Sequence, residues 1–213
     1  MTKLPLLLLA AAALSSTSLA AAPGDLPEDH RTLTRSTSYD AMAAFLKTVD
    51  GKGPVVVSVE GKTAQGRSVF LVHARGSANP TFRVLFYAQQ HGDEVSGKDA
   101  LLYLVRDIAR EPSRLPKDVD LWVMPMMNPD GAEAGTRRNS AGADLNRDHV
   151  TLFQPETEAL HRVARRVRPH LAVDAHEFGR DSEEWTAKGW EKWPDITMDG
   201  LDNPHFDRER MAA

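Results

Sequence analysis

The 213-residue chain contains no cysteine. That absence excludes a disulfide framework, a thiolate metal cluster and a cysteine nucleophile. A basic excess is missing too: 26 lysines and arginines stand against 30 acidic residues, a formal net charge of −4. The chain lacks the positive field that nucleic acid or an anionic membrane surface would attract, so no nucleic-acid partner is expected. Long apolar runs are scarce. Leu4–Leu14 is about 11 residues, against the roughly 20 needed to span a bilayer. Internal repeats and low-complexity tracts are also absent. What remains is the balance of one globular domain, 41% hydrophobic and 26% charged. Any metal must be held by carboxylates and by some of the 8 histidines.

Residues 1–20 read as a secretory signal peptide. Lys3 gives the positive start, the Leu4–Leu14 run the apolar centre, and Ser18-Leu19-Ala20 the small residues of a cleavage site. Export to the periplasm or the extracellular space is expected, with no membrane association after cleavage. Residues 21–38 are polar and proline-bearing, a flexible lead-in to a body over 39–178. Residues 179–213 differ in character, with nine acidic and five basic residues and three tryptophans, Trp185, Trp190 and Trp193. No apolar periodicity runs through them, and they read as a loop or as the start of a further segment.

Within the body, apolar spacing predicts a helix over 39–48, with Met42, Phe45, Leu46 and Val49 inward. Pro54–Glu60 and Ser68–His73 read as a hairpin turned by Gly61–Gly66. Phe82–Ala88 is a buried strand, followed by a helix over Ser96–Arg110 with Ala100, Leu101, Leu104, Val105 and Ile108 on one side. A strand over Val119–Met126, the turn Asn128–Gly131, a helix over Gln154–Arg168 and a strand over His170–Asp174 complete the pattern. Strands alternating with helices predict an α/β fold: a mixed, mostly parallel sheet with helices on both faces.

Chemistry-bearing residues gather after two of those strands. Gln90-His91-Gly92-Asp93-Glu94 follows the third strand, and Asp174-Ala175-His176-Glu177 ends the last. The C-terminal strand edge of an open α/β sheet is where ligands bind. If the two strands are neighbours, His91, Glu94 and His176 meet there. Two imidazoles and a carboxylate with one position open is a catalytic zinc arrangement. Taken alone, His-x-x-Glu is more often a surface hydrogen-bonded pair. His30, His73, His149, His161, His170 and His205 have the bland reading of satisfied structural groups. Between the motifs lies a turn-rich stretch carrying Arg137, Arg138 and Arg147, whose guanidinium forks suit carboxylate recognition.

HGDE, NPDG, GTRRNSAGADLNRD and DAHE, in this order, resemble the zinc carboxypeptidase family (carboxypeptidase A-like metallopeptidases). The upstream GKTAQGRSVFLV is similar to that family's early hairpin. The resemblance covers about Tyr39 to Phe178 and implies the carboxypeptidase fold, incomplete at its C-terminus. It implies one zinc ion on His91, Glu94 and His176. It implies Arg137 as the residue that steadies the oxyanion, with Arg138 as its competitor, and Asn146 and Arg147 as the grip on a substrate carboxylate. Asp144 is implied to orient the first zinc histidine.

The implied reaction is metal-assisted hydrolysis of an amide beside a free carboxylate, in a peptide or an N-acyl amino acid. In that family the general base is a glutamate on a later strand, preceded by a tyrosine. Counting from His176 carries both past Ala213, so a fragment of a longer enzyme is expected. Glu177 has the right chemistry, but on a continuing strand its side chain points away from its neighbour's. The alternatives are a zinc- or peptide-binding module without turnover, and a deacylase of N-acyl amino acids.

Overall fold

The computed structural model describes residues 36–177, together with Ala187. The expected signal peptide, most of the lead-in, His30, His205 and the three clustered tryptophans lie outside the described residues. The chain divides after His176 into two units, and the fold belongs to the first.

Helix α1 (Tyr39–Val49) starts at Ser38, whose hydroxyl accepts from the Ala41 N–H, and it buries Met42, Phe45, Leu46 and Val49. Strands β1 (Val55–Lys62) and β2 (Ser68–Arg75) form the expected antiparallel hairpin, with an irregularity between Val59 and Gly61. Strand β3 (Phe82–Ala88) leads into helix α2 (Ser96–Arg110), and β4 (Val119–Met124) follows. Helix α3 (Pro129–Ala134), helix α4 (Pro155–Val167) and β5 (Leu171–Ala175) close the described fold. No helix among the described residues is long and apolar enough to cross a membrane.

The five strands make one mixed sheet in the order β1-β2-β4-β3-β5. The hairpin meets β4 antiparallel, while β3 runs parallel to both β4 and β5. Alternation along each strand feeds two cores. Val72, Ala74, Val84, Leu121 and Val123 face α1 and α2, whereas Val69, Leu71, Leu85 and Met124 face Ala159, Leu160, Val163 and Val167 of α4. Helices therefore cover both faces.

Two local readings change. The inward stripe of α2 is Lys98, Leu101, Leu102, Val105 and Ile108, while Leu104 is more than a third exposed. Leu102 takes the inward place expected for Leu104 because Leu101 and Leu102 both fall within the stripe set by Lys98, Val105 and Ile108. The Asn128–Gly131 turn is the start of α3: the Asn128 side chain accepts from the Gly131 N–H, and Pro129 occupies the first turn. Asparagine before proline serves a helix start as well as a turn.

Candidate metal centre

Strands β3 and β5 are parallel neighbours with Ala88 opposite Ala175, so their C-terminal ends align. The chain leaves β3 through Gln89, whose φ of 55° is left-handed, and Gln89 Nε2 donates to the Gly92 carbonyl. Gly92 lets this loop lie directly on α3. A Cβ there would sit 2.1 Å from the Gly131 carbonyl carbon, so no side chain fits. The two motif glycines thus have a packing reason. Asn128 Nδ2 adds a bond to the Gln90 carbonyl and fixes the loop's height above the sheet.

His91, Glu94 and His176 offer ligand atoms that all lie within 4.8 Å of one another. His91 Nδ1 is 2.6 Å from Glu94 Oε1, and His176 Nδ1 is 2.8 Å from Glu94 Oε2. Each Nε2 faces a carboxylate, His91 to Asp144 Oδ1 at 3.2 Å and His176 to Asp174 Oδ2 at 3.0 Å. This donor set fits a zinc ion. Both imidazoles aim the same nitrogen at one point, and both have the outer carboxylate that sets the tautomer and raises ligand basicity. Hydrogen bonds to Asp174 and then Glu94 raise the His176 pKa to about 9, so metal must displace a proton there.

The arginine alternatives separate in space. Arg137 Nε donates to Asp144 Oδ2 at 3.1 Å, and its NH1 is 3.7 Å from Glu94 Oε1. Arg138 instead donates to the Gly142 carbonyl at 3.0 Å. Burial opposes charge on Asp144, but the positive charge and hydrogen bond of Arg137, helped by His91, hold its carboxyl below the ordinary range. Asp144 also accepts from the Asn146 N–H and caps the short 3-10 turn Leu145–Arg147. That turn brings the Asn146 amide nitrogen to 3.2 Å from His176 Nε2. Arg147 is exposed, with its guanidinium folded back on the Asn146 carbonyl.

Several supporting residues went unread in the sequence. Buried Asp130 of α3 accepts from Thr63, Ser140 and Arg67 side chains at 2.7–2.8 Å and from the Gln65 N–H at 3.2 Å. Those bonds outweigh burial and lower its pKa. One carboxylate thus ties the hairpin turn and the arginine-bearing loop to α3, which explains the GKTAQGR pattern structurally. Asp148 collects Thr151, Thr157 and the Phe153 and Gln154 N–H groups, fixing the entry to α4. Of the bland histidines, His73 pairs with Asp120 at 2.7 Å and stacks on Trp122, and His170 Nδ1 accepts from the Arg83 N–H. His149 and His161 contact each other, and His149 reaches Gln90.

The class defined by this fold is an α/β protein with two histidines and a glutamate, a group able to hold a metal ion, at the C-terminal edge of its sheet. Residues 42–179 match the family model of the zinc carboxypeptidases, and the chain belongs to that family. It is 31% identical over 127 residues to carboxypeptidase 2 of Trichophyton rubrum, covering 55% of this chain and 24% of that one. A metallo-carboxypeptidase from Burkholderia cenocepacia superposes with TM-score 0.60 at 28% identity, covering 65% of this chain and 40% of that one. A metallo-carboxypeptidase from Pseudomonas aeruginosa, in complex with (2-guanidinoethylmercapto)succinic acid, gives TM-score 0.60 at 29% identity. It covers 65% of this chain and 39% of that one. The chain spans about a third of the length of the first curated relatives it matches.

Proposed function

We propose that this chain is the zinc-holding part of an exported metallocarboxypeptidase that cleaves an amide beside a free carboxylate. The observation that carries the reading is the convergence of two histidine Nδ1 atoms on the Glu94 carboxylate, each backed by a carboxylate on Nε2. His91, Glu94 and His176 would hold one zinc ion. When bound, zinc supplies Lewis-acid chemistry to the amide carbonyl and acidifies water.

The protein's own groups do the rest. Arg137 keeps a guanidinium at the rim of the centre, held by Asp144, where it would steady negative charge developing on the carbonyl oxygen; such donors are commonly worth about 3 kcal/mol. Asn146, beside His176, would orient the substrate's terminal carboxylate, and the exposed Arg147 fork would pair with it. We further propose that the general base comes from sequence outside these 213 residues, in keeping with the share of its relatives that the chain spans.

Metal analysis tests the centre: about one zinc per chain is expected, and loss of it in His91→Ala. Less than half a zinc in the unaltered chain would refute the reading. A longer protein that keeps zinc and binds peptide but never hydrolyses one would favour the module without turnover.

A further inference from the structure

A chain of polar side chains runs from α4 through fully buried Gln90 to the candidate metal centre, and each link has a defined direction. The Asp174 side chain is the acceptor at the metal end of this chain. Its Oδ2 takes two hydrogen bonds, from Gln90 Nε2 at 2.6 Å and from His176 Nε2 at 3.0 Å, while its buried Oδ1 has no hydrogen-bond partner among the described residues. Because the Gln90 amide nitrogen must face Asp174, its Oε1 faces the other way, 2.8 Å from His149 Nε2. That nitrogen therefore carries the proton. His149 Nδ1 is then an acceptor, 3.1 Å from His161 Nε2, which donates. The acceptor role of Asp174 thus orients Gln90, His149 and His161 in turn.

The same logic acts on His176. Two groups approach its Nε2, Asp174 Oδ2 and the Asn146 amide nitrogen, and only the carboxylate can accept. Nε2 is held as the donor to Asp174, so Nδ1, which donates to Glu94, is the nitrogen that would give up its proton to a metal. Gln90 is fully buried, and the Asp174 side chain it holds is half-buried. Asp144, the matching carboxylate on His91, is braced by Arg137 at the exposed rim. His176 has an interior brace instead.

We propose that Gln90 and His149 are positioning residues for the metal centre: by holding the Asp174 carboxylate, they lock His176 in the tautomer and orientation that offer Nδ1 to the metal. The proposal rests on the zinc reading above and deepens it. Partners one step behind a metal ligand typically change affinity by about 10–100-fold. Gln90 stands behind Asp174, so its loss belongs at the low end.

The test is zinc affinity of the full chain by chelator competition, with imidazole proton exchange followed by NMR in the zinc-loaded protein. Gln90→Met keeps the volume but removes donor and acceptor. It should weaken zinc about tenfold and abolish the protected Nε2–H signals of His149 and His176. His149→Phe should act in the same direction by less. Thr157→Val, which loosens the start of α4 through Asp148, serves as a stability control and should leave both readouts unchanged. If the unaltered chain does not bind zinc, the zinc reading fails. If it binds and Gln90→Met matches Thr157→Val in affinity and exchange, the positioning role is overturned.

Discussion

His91 and His176 present the same Nδ1 atom to Glu94 and the same Nε2 atom to a carboxylate, yet what stands behind each carboxylate differs. Behind His91 is Asp144, held by Arg137, whose side chain is 45% exposed. Behind His176 is Asp174, held by Gln90, which is fully buried and tied through His149 to His161 on α4. One arm opens to the solvent side. The other is anchored on fully buried Gln90 and, through half-buried His149 and His161, on α4. The comparison teaches that two like ligand arms can be braced differently, one by an exposed guanidinium and the other by a buried amide.

The largest expected effect falls where the two arms join. His91→Ala or His176→Ala should each weaken zinc by more than the hundredfold that loss of an outer partner can cause, as chelator competition would register. A retained affinity in either would mean that the ion is held elsewhere. Next come the carboxylates. Asp144→Asn and Asp174→Asn should each weaken zinc by about 10–100-fold, but only Asp144→Asn should release Arg137. The asymmetry is measurable as binding of a carboxylate-bearing substrate analogue: altered at equal zinc occupancy in Asp144→Asn, unchanged in Asp174→Asn.

Smaller effects probe the supports of each arm. Asp148 fixes the entry to α4, and although burial opposes its charge, hydrogen bonds from Thr151, Thr157 and two backbone N–H groups lower its pKa from 3.8 to about 2. Because the folded value lies below the unfolded one, the carboxylate stabilises the fold at neutral pH. That contribution fades as pH falls from about 4 to 2. Asp148→Asn should cost about 2 kcal/mol at pH 7 and almost nothing near pH 2, read by denaturant unfolding at each pH. Ser140→Ala removes one of four groups on Asp130 and should cost about 1 kcal/mol, with zinc affinity unchanged. A change in zinc affinity would show that the hairpin clamp reaches the centre.

The strands were legible because runs such as PVVVSVE and FRVLFYA leave little choice of structure, and helices α1 and α2 because their apolar spacing is regular. The meeting of His91, Glu94 and His176 was legible because both motifs follow apolar strands directly, and parallel neighbours align their ends. The supports were not. Asp130 joins Thr63 and Ser140 across separations of 67 and 10 residues, and no local periodicity encodes such a clamp. The chain from His161 to Asp174 draws one residue each from a helix, a loop, a strand exit and a strand. Read singly, each is an ordinary polar residue. Which of Arg137 and Arg138 bonds Asp144 was not legible either, since adjacent residues differ only in which way the loop turns them.

X-ray absorption at the zinc edge of the metal-loaded chain tests the central claim most directly. The account predicts two imidazole nitrogens at about 2.0–2.1 Å and carboxylate oxygen at about 2.0–2.2 Å in a four-coordinate shell, with imidazole scattering halved in His176→Ala. An all-oxygen shell, or a spectrum unchanged by that substitution, would contradict it.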